Sequence, residues 1–167
     1  MNTGLSEESE ERAPRGGSTL AIASLAAMAT YLDSSVLFVA FPDITDSFTE
    51  ATTSMLSWVL NAYTITFAAL LIPAGKLADR VGPKRALLVG ALIFTAASMA
   101  CGLSPSIEIL IFARIIQGLG AAVLVPSSLA LVLAAYPREK LPQVVAIWGA
   151  MGAFSAALGP SVGGVIV

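Results

Sequence analysis

Five apolar runs, each long enough to cross a lipid bilayer, constrain this chain more than any other feature of its sequence. Each run has 18 to 29 residues, and short polar segments separate them. A helix of about 20 apolar residues spans the ~30 Å hydrocarbon core. Backbone groups in lipid must pair within their own segment, so we predict helices rather than strands. The predicted spans are residues 20–41, 56–74, 86–103, 107–135 and 144–167.

The predicted fold class is therefore all-α: a polytopic membrane protein with five transmembrane helices, formed by residues 20–167. Residues 1–19 contain four glutamates among Ser, Gly and Pro, and we expect a disordered cytoplasmic tail there. An acidic start followed by a long apolar run does not resemble a cleaved signal peptide.

Basic residues lie on one side of the predicted spans. They precede span one, separate spans two and three, and separate spans four and five: Arg12, Arg15, Lys76, Arg80, Lys84, Arg85, Arg138 and Lys140. The opposite segments, 42–55 and 104–106, contain no Lys or Arg. The positive-inside rule predicts a multi-pass protein of the plasma membrane with a cytoplasmic N-terminus.

Composition excludes several classes of function. The chain has no His, one Cys and a net charge of −2. Cys/His metal sites, Cys/His nucleophile pairs and an electrostatic nucleic-acid surface are therefore not expected. No phosphate-cradling loop or nucleophile and base pair is present, so we expect neither an enzyme nor a cofactor.

Two charges lie inside predicted spans. Asp33 is eight residues before the outer end of span one, and Arg114 is seven residues after the outer start of span four. Their matched depth makes a pair possible, because a lone charge in the bilayer costs several kcal/mol. Asp33 could bind and release a proton while Arg114 or a substrate competes for it, or the two could form a static pair that fixes packing.

Polar side chains also recur in the spans. Ser57, Asn61 and Thr64 have helical spacing in span two, where such a stripe lines a path or bonds a neighbouring helix. Tyr63 lies at a depth where it could contact an aromatic substrate. The candidates for a substrate path are Ser34, Asn61, Tyr63 and Gln117.

Span five has a face of small residues. Gly152, Ala156, Gly159 and Gly163 recur every three or four residues, and Pro160 favours a kink. Such a helix suits a sliding interface, although ordinary close packing explains the same spacing.

The segment between spans two and three reads GKLADRVGPKR, from Gly75 to Arg85. Gly75 and Gly82 permit tight backbone, and Asp79 can cap a helix start or pair with Arg80. This segment resembles the signature between helices two and three of the major facilitator superfamily.

Three further motifs resemble the fourteen-span drug:proton antiporter branch of that superfamily. They are LDSSVLFVAFP (32–42), ARIIQGLGAA (113–122) and GPSVGG (159–164). The resemblance implies alternating access between two six-helix bundles, with Asp33 as the proton site and Arg114 as its partner. It also implies a cytoplasmic gate and an antiporter hinge. The gate residues are Gly75, Asp79, Arg80, Gly82, Lys84 and Arg85, and the hinge residues are Gly152, Gly159, Pro160, Gly163 and Gly164.

Two functions remain open at this point. The first is the N-terminal part of a proton-coupled multidrug efflux transporter, whose partners are the bilayer, protons, a lipophilic or cationic drug, and the missing C-terminal helices or a second copy. The second is a truncated, transport-incompetent product or interaction subunit, since five spans are one short of two three-helix repeats.

Overall fold

The computed structural model describes the backbone of residues 4–166 and the side chains of residues 16–161. Within that range the chain forms five α-helices and no strand, with a short 3-10 turn at Arg138–Lys140. All five helices are long and apolar enough to cross a membrane. The helices are α1 (Gly4–Ser47), α2 (Thr53–Val81), α3 (Pro83–Gly102), α4 (Ile107–Ala135) and α5 (Leu141–Ile166). The predicted all-α fold with five spans is confirmed.

Helix α1 is longer than predicted at both ends. Its backbone is helical from Gly4, where a disordered tail was expected as far as Thr19. Glu and Arg are good helix formers, and an existing helix extends into a neighbouring segment at little cost. At its other end, α1 continues past Pro42 to Ser47 instead of stopping at Phe41. The apolar run marks the part suited to lipid, whereas the helix itself continues into polar sequence.

Local sequence signals set the other helix boundaries. The Thr52 side chain accepts a hydrogen bond from the Met55 N–H at the start of α2, three residues before the predicted start of span two. Ser106 caps α4 in the same way through the Ile109 N–H, and α4 matches its predicted bounds. Between α2 and α3 the only linking residue is Gly82, whose φ of +93° favours glycine. Pro83 then begins α3.

Helix α4 lies at the centre of the bundle and packs against α1, α2 and α3. Half of the residues in its most apolar 18-residue stretch are buried inside the bundle, against 17–28% in the other spans. Two glycines allow the close approach. A Cβ at Gly118 would lie 2.7 Å from the Tyr63 carbonyl oxygen of α2, and one at Gly120 would lie 2.6 Å from the Phe94 backbone nitrogen of α3. Backbone atoms cannot move aside as a flexible side chain can, so α4 needs glycine on both faces.

Helix α5 packs along α1, and its contact with α1 is about as extensive as the contact between α2 and α4. The surface of the bundle carries many large apolar side chains, including Leu92, Ile72 and Phe112, which are 63–74% exposed. An apolar surface of this extent suits a lipid environment.

Hydroxyl side chains in the helices bond mainly to their own backbone. Thr30, Ser34, Thr45, Ser57 and Thr64 each donate to a carbonyl oxygen three or four residues earlier, at 2.8 to 3.3 Å. Ser35, Ser104, Ser127 and Ser128 do the same. These hydroxyl protons are therefore satisfied within single helices.

The two ends of the bundle differ in charge. We call the end with the α2–α3 and α4–α5 connections the basic end, because it carries Lys76, Arg80, Lys84, Arg85, Arg138 and Lys140. The end with the α1–α2 and α3–α4 connections is the acidic end, and it carries Asp43, Asp46, Glu50 and Glu108. The two connections of the acidic end lie together around a cavity of about 250 Å³.

Candidate functional site

A ring of three polar side chains joins α1 to α4 inside the bundle. Arg114 Nη1 donates to Asp33 Oδ2 at 2.7 Å and to Gln117 Oε1 at 2.7 Å. Gln117 Nε2 donates to the other carboxylate oxygen of Asp33, Oδ1, at 2.7 Å. Each side chain therefore contacts the other two. The contact between Asp33 and Arg114 that was predicted from their matched depth is present.

This ring is largely shielded from its surroundings. The Arg114 side chain is 4% exposed and the Asp33 side chain 19% exposed, and Gln117 is fully buried. Among the side chains of residues 16–161, Asp33 and Arg114 form the only ion pair. A buried charge is costly unless it is paired and hydrogen-bonded, so each of these two groups depends on the other.

An aromatic side chain of α2 covers the guanidinium group. Arg114 Cζ lies 4.5 Å from the centroid of the Tyr63 ring, which is a cation–π distance. Tyr63 is itself stacked on Phe67, with ring centroids 6.1 Å apart. Gly118 permits this arrangement, because it lets the α2 backbone approach α4 at Tyr63. Three helices thus hold Arg114 in place.

The hydrogen bonds of Arg114 are incomplete. Its Nε is buried and has no hydrogen-bond partner. Arg114 also lines a cavity of about 130 Å³ between α1 and α2. The other lining residues are Ser34, Leu37, Phe38, Leu60, Asn61, Tyr63 and Thr64. A polar cavity of this size admits a few water molecules or part of a small ligand.

Three of the four residues expected on a substrate path line this cavity: Ser34, Asn61 and Tyr63. Gln117 does not line it and is fully buried, and its amide oxygen and nitrogen both form hydrogen bonds within the ring. Its spacing of three residues from Arg114 places both side chains on one face of α4. This spacing was the available sequence signal for a shared role.

A second cavity reaches Asp33 from another side. It has a volume of about 390 Å³ and lies between α1 and α3. Its lining is mostly apolar: Ala29, Leu32, Asp33, Val36, Leu37, Ala40, Phe94 and Ser98. Asp33 therefore borders one cavity while its partner Arg114 borders the other.

The expected gate residues lie at the basic end, apart from the ring. A Cβ added at Gly75 would lie 3.6 Å from Pro126 Cβ, which is an ordinary contact distance. Gly82 forms the α2–α3 turn. Within residues 16–161, Asp79 forms no ion pair with Arg80, and α3 begins without a side-chain cap. The expectation that Asp79 pairs or caps is wrong for this structure, because Asp79 lies inside the last turns of α2. Lys84 and Arg85 lie in the first turn of α3.

The expected hinge residues bring α5 against α1. A Cβ at Gly152 would lie 2.9 Å from the Tyr31 ring, and one at Gly159 would overlap the Ser35 side chain. Pro160 lies inside a continuous α5. Gly163 and Gly164 lie beyond Ser161, the last residue whose surroundings the structure describes.

Some contacts between helices were not predicted. The Ser155 hydroxyl of α5 donates to the Met28 carbonyl oxygen of α1 at 2.7 Å. Cys101 Sγ of α3 lies 3.5 Å from Gln117 Oε1 and donates to it. Neither residue belongs to a recognisable motif, so only the packing of the helices reveals these partners.

The fold and the site define an α-helical membrane-protein bundle that holds a buried charged network. A family model described as Major Facilitator Superfamily matches residues 23–167. The chain belongs to that superfamily.

Several curated relatives carry resistance names. A "Methylenomycin A resistance protein" of Streptomyces coelicolor is 43% identical over 155 residues, which are 92% of this chain and 32% of the relative. A "Multidrug resistance protein Stp" of Mycobacterium tuberculosis is 41% identical over 150 residues (89% and 28%). A "Tetracenomycin C resistance and export protein" of Streptomyces glaucescens is 36% identical over 149 residues (89% and 28%). The chain spans about a third of the length of these relatives.

Proposed function

We propose that this chain is the N-terminal part of a proton-coupled exporter of lipophilic, often cationic, small-molecule drugs. The observation that carries the proposal is the buried Asp33–Arg114 pair, closed by Gln117, between two apolar helices. Intramembrane ionisable residues are costly to keep, which favours a functional role. The resistance and export names of the relatives support drugs as the substrate class.

The proposed chemistry is a change in the charge of Asp33. In the ionised state both carboxylate oxygens accept hydrogen bonds, one from Arg114 and one from Gln117. A proton on Asp33 removes its negative charge and leaves Arg114 without a counter-ion in a nearly closed site. The ring then becomes less stable, so the proton biases the bundle toward another arrangement.

The two cavities reach the two members of the ion pair from different sides. Asp33 borders the apolar cavity of about 390 Å³, and Arg114 borders the polar cavity of about 130 Å³. The part of a drug that enters the polar cavity meets Ser34, Asn61 and Tyr63. Its binding and the proton on Asp33 then compete through the shared ion pair.

Transport itself requires more than this bundle. Alternating access rocks one bundle against another around a midplane site. In the proposal, C-terminal helices or a second copy provide the other bundle. The basic-end residues Asp79 and Arg80 act in the gate, and the close α1–α5 contact at Gly159 acts in the hinge. The basic end faces the cytoplasm at the plasma membrane, in line with the positive-inside rule.

Proton release measured during drug binding tests the coupling role. A full-length transporter carrying this segment is reconstituted in liposomes with a pH-sensitive dye, and a fluorescent lipophilic cation is the drug. Asp33→Asn is expected to abolish drug-dependent proton release, because it removes the only described intramembrane carboxylate at the ring. The matched control is Asp43→Asn, since Asp43 is exposed and lies at the acidic end.

The same assay separates the proposal from a transport-incompetent fragment. Proton-driven efflux that survives Asp33→Asn would show that another group carries the proton. Proton release by the 167-residue chain alone would show that the ring responds to drug without a second bundle. A full-length protein that releases no protons and exports no drug would favour the interaction-subunit alternative.

A further inference from the structure

The thiol of Cys101 reaches the charged ring from a third helix. Cys101 is the sole cysteine of the chain and lies at the end of α3 that faces the acidic end. Its side chain is half-buried, and its Sγ lies 3.5 Å from Gln117 Oε1. This contact makes α3 part of the same hydrogen-bonded network as Asp33 and Arg114.

The neighbours of the Gln117 amide permit one orientation. Arg114 can only donate hydrogen bonds, so the amide oxygen must face it. The second lone pair of that oxygen accepts from the Cys101 thiol. The amide nitrogen is then left for Asp33 Oδ1, at 2.7 Å. A reversed amide would place its N–H groups against the Arg114 guanidinium and its oxygen against the carboxylate.

This orientation suits an ionised Asp33 and opposes a protonated one. Both carboxylate oxygens already face donors, so an added proton has no acceptor unless the amide turns or the carboxyl group rotates. The other titratable groups near Asp33 are Arg114 from α4, Tyr63 from α2 and Cys101 from α3, with Tyr31 further along α1. Helix α5 carries no titratable side chain between Leu141 and Ser161.

We propose that Cys101 is a positioning residue of the proton site. Its S–H holds the amide oxygen of Gln117 and so keeps the amide N–H on the ionised carboxylate of Asp33. A proton on Asp33 Oδ1 would face the Gln117 N–H, so the ring must open, and the S–H bond therefore weakens as the Gln117 side chain moves. This inference rests on the proposed function, because it takes Asp33 as the proton-binding group.

Infrared spectroscopy of the purified 167-residue chain tests the contact, since its S–H stretching band arises from one residue. The wild-type band is expected at the lower frequency of a hydrogen-bonded thiol. Gln117→Leu, which removes the acceptor at similar volume, is expected to move the band to the frequency of a free thiol. Ser104→Ala is the matched control, because the Ser104 hydroxyl bonds to Ala100 O at the end of α3 and not to the ring. An S–H band unchanged by Gln117→Leu overturns the proposal.

Acidification tests the link to Asp33 in the same sample. The band of a protonated carboxyl group, absent in Asp33→Asn, is expected to appear with the same midpoint as the S–H shift. If the carboxyl band titrates but the S–H band does not move, this inference fails and the proposed function stands. If no carboxyl band specific to Asp33 appears, the proposed function fails and this inference fails with it.

Two substitutions separate positioning from packing. Cys101→Ala removes the donor and is expected to raise the midpoint of the carboxyl band by roughly 0.3 to 0.5 pH unit. This is the shift that corresponds to the loss of one weak hydrogen bond. Cys101→Ser retains a donor and is expected to restore the wild-type midpoint. Equal midpoints in the wild-type protein and Cys101→Ala, or a Ser variant that resembles Ala, would refute the positioning role.

Discussion

A double-mutant cycle on Asp33 and Arg114 tests whether the ring holds the bundle together. The substitutions are Asp33→Asn, Arg114→Met and the two combined. Arg114→Met leaves the carboxylate with Gln117 as its remaining partner, in a site where Asp33 is 19% exposed. Asp33→Asn preserves an oxygen for Arg114 but places an amide N–H₂ against that of Gln117. The double variant leaves no unpaired charge.

The expected magnitudes follow from burial. Removing one partner of a buried ion pair costs about 3–5 kcal/mol, whereas an exposed pair contributes ~0–1 kcal/mol. Arg114 is 4% exposed, so we treat its pair with Asp33 as a buried ion pair. We expect Arg114→Met to lower the free energy of unfolding by about 3 kcal/mol or more, and the double variant to recover most of that loss. The coupling energy should therefore exceed ~2 kcal/mol.

Unfolding of the purified chain in mixed micelles, followed by circular dichroism as denaturing detergent increases, measures these differences. A coupling energy below about 0.5 kcal/mol would refute the reasoning, since it is the value of an exposed pair.

Two further substitutions test the contacts around the ring. Tyr63→Leu should destabilise the chain by about 1–2 kcal/mol through loss of the cation–π contact with Arg114, and Tyr63→Phe should cost less; the same unfolding assay measures both. Gly159→Ala should separate α5 from α1, because the new methyl group overlaps Ser35, and should cost about 1–3 kcal/mol together with a loss of drug export. Gly149→Ala, with open space at its Cβ, is the control and should be neutral or slightly stabilising; equal effects at the two glycines would contradict the packing argument.

The architecture could be predicted from sequence because it depends on local properties. Hydropathy identified all five helices, and Ser106 marks the start of α4 at the residue predicted. Helix α1 was placed too short, because an apolar run measures the lipid-facing part of a helix and not its hydrogen-bonded length. The ends of helices that continue into polar sequence need the structure.

The site could be predicted only in part. Two charges at matched depth made the contact between Asp33 and Arg114 predictable. The spacing of Gln117 from Arg114 gave a signal, but its contacts with α1 and α3 were not predictable, because the register of those helices depends on close packing at Gly118 and Gly120. A lone cysteine carries no spacing pattern, so Cys101 gave no signal in the sequence.

The backbone-bonded hydroxyls of α1 and α2 have a consequence for membrane insertion. Thr30, Ser34, Ser57 and Thr64 satisfy their protons within one turn, so each helix can partition into lipid before it meets another. Asp33 and Arg114 differ, because each is the partner of the other and the two lie 81 residues apart in the chain. If the helices insert in chain order, we expect the Asp33 carboxyl group to lack Arg114 as its partner until α4 enters the bilayer.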